Sequence, residues 1–514
     1  MSSKNLSAVE ADPASRVENS APGFTPHVIN WGRHWGTCLK VVGYVHPVFF
    51  SPGPHFNFAW VEITAKLLRM LQDAGDECLL VTASRFARWA REKDATQLER
   101  LRVVEIDEVS LCRELSRVGT TPGGLISLTY KGGNSDHPAL ELLATEIAEC
   151  CREFTPDVII SFGIQTDFLN ALWPEALRLH CEAGAYAHNP FPYSISIDHL
   201  GMYKHSVIGA HGARLRTIKM TPDALKLANM FRTRAAEALR ATNPFDLSAA
   251  RSKYRRLCLV PLQPSNHYAF DEQCGYRSQF EFLVDVLAAT PADVGVIATE
   301  HLPWGPALKR GNFDDNLDYL CERFPNFIFL EKFRSYYYPS QFIVPLVDGV
   351  FSVSSSIGIQ ALLFSRVLGT LASTHLAGIA DATTIERFFE RLDTPAEPRN
   401  DFLAWQLKHY WIPERLFSKE AWLSNYLRRR HDAARTDSDP IHAFVATADM
   451  AQLQEAWIDC APQPAAIYSP SATDMVEFMR ASLESMRNST SWRVTAPLRV
   501  AGKALRASRR LVAG

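Results

Sequence analysis

The stretch FSVSSSIGIQALLFSRVLGT, Phe351 to Thr370, carries the organisation of the chain in miniature. Val350, Phe351 and Val353 read as a short buried strand. Ser354, Ser355 and Ser356 form a hydroxyl-rich turn, and Ile359, Leu362 and Leu363 mark a helix. The chain then extends again through Val367, Leu368 and Leu371. A strand that passes through a polar turn into a helix gathers free backbone N–H groups and added hydroxyl donors at one spot, which suits an anion. Serine is also a good helix cap, so the turn admits a purely local reading.

Working outward, the same alternation appears twice. LKVVGYVH (Leu39–His46) reads as a strand, followed by a proline-rich loop and a helix over Asn57–Asp73. CLLVTA (Cys78–Ala83), LRVVEID (Leu101–Asp107) and DVIISFG (Asp157–Gly163) supply further strands, with an amphipathic helix over Pro138–Phe154. The pattern restarts at LCLVPLQP (Leu257–Pro264), with a helix near Ser278–Leu287 and strands at VGVIAT (Val294–Thr299) and NFIFLE (Asn326–Glu331). Alternating strands and helices imply mostly parallel sheets covered on both faces. The expected architecture is α/β of the GT-B type, two Rossmann-like domains with a central cleft and a helical C-terminal extension. The expected parts are a disordered segment 1–36, a first domain 37–250, a second domain 251–385, a helical extension 386–468 and a basic amphipathic tail 469–514. Ligands of such domains sit beyond the carboxyl ends of the strands. His46, Gly163, Gln263, His301 and Ser354 all fall at such ends, which points to one inter-domain site.

The chain has 514 residues, too many for one core, and a formal net charge of −2, which argues against a general nucleic-acid binder. The start is polar, without the apolar stretch of a cleavable signal, and no run reaches the ~20 apolar residues of a membrane span. The ten cysteines are scattered without a CxxC pair, which fits a reducing cytoplasm and neither a zinc ribbon nor a disulfide framework. The tail departs from this neutrality. Arg493, Arg499, Lys503, Arg506, Arg509 and Arg510 alternate with apolar residues, and no acidic residue follows Glu484. Such an end suits an anionic membrane surface or a docking partner; the plainer alternative is a solvated or coiled-coil tail.

Several residues offer chemistry. His301, in TEHLPWGP, sits at a strand end two residues before Pro303 and could donate to a departing phosphate. Glu300 could accept from a base, and Gln263 lies on a loop stiffened by Pro261 and Pro264. Glu331, Lys332 and Arg334 could read a base or phosphate, or form exposed ion pairs. In the first domain, His188 and Asn189 precede Pro190, and Asp198 ends the extended run Ser-Ile-Ser-Ile close to Gly201. A carboxylate there can act as nucleophile or base, or make an Asx turn. His46, His55 and Asn57 flank a natural acceptor position, while Asp157 reads as a strand start and Asp167 as a helix cap or a cleft residue. The lone DxD, Asp437-Ser438-Asp439, lies in a late polar loop and reads as a solvated turn, so no metal is expected.

With these residues laid out, the chain resembles the bacterial β-Kdo transferases of surface polysaccharide synthesis, both the capsule enzymes and the retaining enzymes that cap O-antigens. PFPYSISIDHLGMYKHS, PLQP with TEHLP, and SVSSSIGIQALLFSRVLGTLASTHLAGIAD carry the likeness, which runs from about Leu39 to Asp381. Leu302 separates His301 from Pro303, where the family tends to have a histidine–proline pair. The C-terminal TSWRVTAPLR also resembles a segment recurrent in polysaccharide glycosyltransferases. The resemblance implies a CMP-Kdo donor, no cofactor or metal, and a lipid-linked glycan acceptor. It places the enzyme in the cytoplasm, peripheral at the inner membrane, with the tail touching membrane or an assembly complex. It makes Asp198 the nucleophile of a double displacement, aided by His188 and His301. Gln263, His301, Lys332 and Ser354–Ser356 would hold the nucleotide, and His188, Lys204 or His205 the Kdo carboxylate. Two alternatives stay open: a sialyltransferase-like user of another CMP-nonulosonate, and a non-catalytic GT-B subunit of an assembly complex. A UDP- or GDP-hexose enzyme fits less well, since such enzymes often carry glutamate where Gln360 stands.

Overall fold

The structure is a computed structural model that describes residues 38–48, 55–131, 136–188, 190–263, 268–300, 316–336 and 338–458. Two sheets organise it. The first unit contains β1 (Lys40–Tyr44), β2 (Glu77–Ala83), β3 (Arg102–Ile106), β4 (Val158–Phe162), β5 (Leu177–Ala183) and β6 (Ser194–Asp198). The second contains β7 (Arg256–Leu262), β8 (Val294–Glu300), β9 (Phe327–Ile328), β10 (Gly349–Phe351) and β11 (Val367–Gly369). A twelfth strand, β12 (Trp411–Pro413), belongs to the first sheet although it follows the whole second unit in sequence.

The first sheet runs β12-β6-β5-β4-β1-β2-β3 and the second β11-β10-β7-β8-β9. From β3 to β5 the first sheet is parallel, and β6 pairs antiparallel with β5. The second sheet is parallel throughout. In each sheet the unit's first strand lies centrally and the order reverses beside it, between β1 and β4 and between β7 and β10. Loops diverge at such a reversal and leave a crevice at the carboxyl ends of the strands. Two doubly wound halves of this kind make the GT-B architecture.

The strands form where the sequence is continuously apolar. All five residues of β4 and all seven of β8 are buried, as expected of parallel strands covered on both faces. The second unit keeps a core of its own around Phe282, Phe351 and Phe388. The other core cluster runs through the first unit, takes in Leu257, Leu259, Ile297 and Val350 on the second sheet, and continues into Trp405, Tyr426 and Trp457. The helical extension is therefore part of the first unit's interior. Its helix Trp422–Thr436 sends Arg428 to the buried Asp76 at 2.6 Å, and Asp76 also accepts the Leu39 N–H at the head of β1. The extension was expected as helix alone; β12 is the part that sequence periodicity does not reveal, being three residues long.

Two glycines shape the loops after β4 and β6. Gly163, after β4, has φ +64, and a Cβ there would lie 2.2 Å from the Trp60 ring. Gly201, after β6, has φ +148 and lies against the Gln165 amide. No larger residue fits either place.

Candidate active site

A cavity of about 280 Å³ opens between the carboxyl edges of the two sheets. Glu182, His188 and Tyr203 come to its wall from the first unit, Gln263, Ser354–Ser356 and His375 from the second, and Tyr410 from the segment before β12. The halves are tied around it. Gln360 Nε2 donates to the Ala185 carbonyl at 2.7 Å, and Lys204 Nζ to the Glu272 carbonyl at 2.6 Å. The His188 ring stacks on Tyr338, with centroids 3.5 Å apart and planes 6° from parallel.

The serine turn sits where the second sheet reverses order. Ser354 Oγ donates to Gln263 Oε1 at 2.6 Å, which joins the ends of β10 and β7 across the crevice. Ser352 Oγ accepts the Ser355 N–H at 3.2 Å and so shapes the turn from below. Ser356 precedes the helix Ile357–Leu363, yet its side chain makes no capping hydrogen bond. Its hydroxyl, exposed at the cavity wall, fits a ligand better than a cap. Gln263, Ser354, Ser355 and Ser356 are thus brought together as the sequence suggested. His188 joins them across the cleft. His301 and Asn189 lie outside the described residues, as do the segment 1–36, the tail 469–514 and the side chains of His55 and Asn57.

Lys332 is not brought to the cavity. Residues Glu331–Ser335 form a tight 3-10 turn that buries Phe333 and turns Lys332 outward, where Nζ donates to the Pro244 carbonyl at 2.7 Å. The next charged residue turns inward instead. Arg334 donates from Nε and Nη2 to one oxygen of Glu300, at 3.0 and 2.7 Å, with only 1 % of the Glu300 side chain exposed. Glu300 lines the cavity, so this pair puts a neutralised, fixed carboxylate in the second unit's part of the wall.

Asp198, expected to face the gap, stands one layer behind it. It ends β6 and is 2 % exposed. Oδ1 accepts the Leu200 N–H and Oδ2 the Val207 N–H, both at 2.8 Å. The carboxylate closes an Asx turn and meets the start of the helix Val207–Arg216. Tyr410, whose side chain neighbours Asp198, Ser196 and Ser206, lines the cavity where Asp198 does not. Burial pushes the Asp198 carboxyl up to about 6, against the pull of the two backbone donors, Arg430 and Tyr410.

The first unit's carboxylate that does reach the cavity is Glu182, near the end of β5. Its Oε1 accepts the Ala183 N–H at 3.0 Å. Burial pushes its carboxyl up to about 7, with the Ala183 hydrogen bond opposing. A group poised there can carry or release a proton at neutral pH. Glu182 is not among the sequence candidates, because the sequence reading places no strand over Leu177–Ala183; it comes to the wall at the carboxyl end of β5.

Other candidates take structural places. His46 is fully buried, accepts the Val48 N–H at 3.1 Å, and is pushed down to about 3 by burial. Asp157 accepts the Lys40 N–H and locks β4 to β1. Asp439 pairs with Arg214 while Asp437 accepts the Asp439 N–H, a polar turn fixed to the first unit. Lys204 and His205 line a neighbouring recess of about 130 Å³ and not the main cavity. Among the described residues no group of three or more His, Cys, Asp or Glu side chains could hold a metal ion.

No protein-family model matches the chain, and no curated protein matches it. Solved structures do. A KpsC beta Kdo 2,7 transferase of Thermosulfurimonas dismutans is similar at 16% identity and a TM-score of 0.33, over 52% of this chain and 81% of that one. A beta Kdo 2,4 transferase KpsC of the same organism is similar at 13% identity and a TM-score of 0.34, over 48% and 79%. A UDP-GlcNAc 2-epimerase of Methanocaldococcus jannaschii is similar at 11% identity and a TM-score of 0.30, over 76% and 99%. The likeness in each case is one of architecture.

Proposed function

We propose that the protein is a GT-B glycosyltransferase that moves Kdo from CMP-Kdo to the end of a lipid-linked surface glycan, with retention through a carboxylate adduct. The observation that carries this reading is the cavity itself. It sets an ionisable carboxyl, Glu182, on one half and the serine turn with Gln263 on the other. The segments that line it are largely those whose residues resemble β-Kdo transferases.

In this reading the CMP phosphate lies against Ser355 and Ser356, and the sugar lies toward Glu182. A carboxylate attacks the anomeric carbon while the bond to the phosphate oxygen breaks, and CMP leaves with the electron pair. An acceptor hydroxyl then displaces the carboxylate, losing its proton to a base. Two carboxylates compete for the attack. Glu182 stands on the wall. Asp198 is the residue to which the resemblance points, and it attacks only after leaving the Leu200 and Val207 N–H groups. Geometry ranks Glu182 first. The basic tail would hold the protein at an anionic membrane surface; among the described residues no helix is long and apolar enough to cross a membrane.

The test is intact-protein mass measurement after incubation with CMP-Kdo and no acceptor, followed by peptide mapping. A gain of one Kdo on the Glu182 peptide is the expected result. A gain on the Asp198 peptide moves the attack there. Transfer from CMP-sialic acid and not CMP-Kdo would change the donor, and no binding of CMP in calorimetry would remove the enzyme reading altogether.

A further inference from the structure

The cavity lining presents two hydrogen-bond acceptors with no donor to meet them among the described residues. His375 lines the cavity and is 8 % exposed. Its tautomer is fixed by a chain of three contacts. Gln273 Nε2 donates to the Ala269 carbonyl at 2.8 Å, which fixes the amide orientation. Gln273 Oε1 accepts the His375 backbone N–H at 2.8 Å. The same oxygen lies 2.8 Å from His375 Nδ1 and carries no proton, so Nδ1 must be the protonated nitrogen. Burial keeps the ring neutral by lowering its pKa to about 3. Nε2 is then a bare lone pair with no partner among the described residues. Gln360, 2 % exposed in the same cavity, repeats the arrangement. Its Nε2 is committed to Ala185, and its Oε1 is buried without a partner among the described residues.

A buried acceptor such as Gln360 Oε1 is costly without a donor, and natural sites keep one where a ligand supplies the proton; His375 Nε2 faces the cavity with its lone pair open to such a donor. Acceptors repel phosphate and carboxylate, so these two positions do not hold the anionic parts of a substrate. They suit O–H groups. We propose that His375 Nε2 is a specificity-determining acceptor for a hydroxyl of the bound sugar nucleotide, with Gln360 Oε1 as a second acceptor in the same cavity. The inference rests on reading the cavity as a sugar-nucleotide site. The hydroxyl belongs either to the ribose or to the transferred sugar, and the test separates the two.

Two substitutions split the histidine's inner and outer contacts. His375→Asn keeps a donor for Gln273 and removes the atom left for the ligand. His375→Gln places an amide oxygen near the position of Nε2 and gives up the inner contact. Both folded variants and the wild type are titrated with CMP and with CMP-Kdo by calorimetry. His375→Asn is expected to weaken binding about tenfold, the cost of one hydrogen bond to the ligand left unmade. His375→Gln is expected to bind more tightly than His375→Asn. A loss already seen with CMP assigns the ribose; a loss confined to CMP-Kdo assigns the transferred sugar. Unchanged affinity of His375→Asn for both, or weaker binding by the Gln variant than by the Asn variant, overturns the proposal and leaves His375 a packing residue. If wild type ignores both compounds and binds a UDP- or GDP-sugar, the donor reading fails, and the same contrast on that sugar nucleotide decides His375. If wild type binds none of these, both fall.

Discussion

Replacing Glu182 with Gln separates the stability of the fold from the chemistry of the cavity. The folded protein holds this carboxyl at about 7 against 4.5 for a free glutamate, and burial is the main cause. The pKa is raised on folding, so the stabilising side of the linkage is acidic. Relative stability is full below pH ~4.5, falls as the unfolded chain ionises and the folded one does not, and levels off above pH ~7. At ~1.4 kcal/mol per unit the loss is at most about 3.5 kcal/mol, and water in the cavity reduces it to about 1–3 kcal/mol. Gln cannot ionise, keeps the carbonyl oxygen that accepts the Ala183 N–H, and has nearly the same shape. Glu182→Gln is therefore expected to match wild type in melting temperature near pH 4.5 and to exceed it increasingly up to pH ~7, with a constant gap beyond. Kdo transfer, followed by mass spectrometry of the product, is expected to fall at least ~100-fold in the same variant. A melting-temperature gap that stays flat from pH 4.5 to 8.5 would refute the burial argument. Near-normal transfer by a folded variant would refute the catalytic one.

Four further outcomes follow from the same geometry. Asp198→Asn puts an N–H₂ group against one of two backbone donors and is expected to destabilise the fold by about 1–3 kcal/mol in thermal unfolding; a variant as stable as wild type would show that the Leu200 and Val207 contacts are not made. Arg334→Met removes the guanidinium that meets the buried Glu300 and is expected to cost about 3–5 kcal/mol, partly restored by the double variant with Glu300→Gln; additive losses would deny the coupling. Ser356→Ala, whose hydroxyl makes no capping bond, is expected to leave melting unchanged and weaken CMP binding several-fold in calorimetry, whereas a lower melting temperature would return the residue to a structural role. Removing the chain after Ser489 is expected to spare transfer to a soluble acceptor and to abolish sedimentation with anionic vesicles; unchanged sedimentation would end the membrane-docking idea.

Much of the fold was legible in the linear order of residues, because buried parallel strands leave a dense signal. Val41–Tyr44, Leu79–Val81, Val158–Phe162 and Leu257–Leu262 are apolar runs bounded by turn residues, and each is a strand. The ends of those runs marked the cavity side correctly at Gln263 and Ser354, since side chains beyond a strand's carboxyl end have no sheet to bury them. Short elements escaped. Trp411–Pro413 looks like a break between helices until Ile195 and Ser196 are there to pair with it. The charged candidates separated for the same reason. Lys332 and Arg334 are two residues apart in similar company, and only the pitch of a 3-10 turn sends one to solvent and the other to Glu300.

The sequence alone determined two α/β units, their order, and a polar turn facing a cleft, because hydrophobic period and turn chemistry are local properties. Which carboxyl reaches that cleft was decided only when the chain folded. Glu182 and Asp198 end neighbouring antiparallel strands, and nothing local distinguishes them. Backbone N–H groups from Leu200 and Val207 claim the second, while Gly184 and Ala185 leave room beside the first. The lone pair on His375 is likewise a product of tertiary contact, since Gln273, 102 positions away, is what assigns its proton.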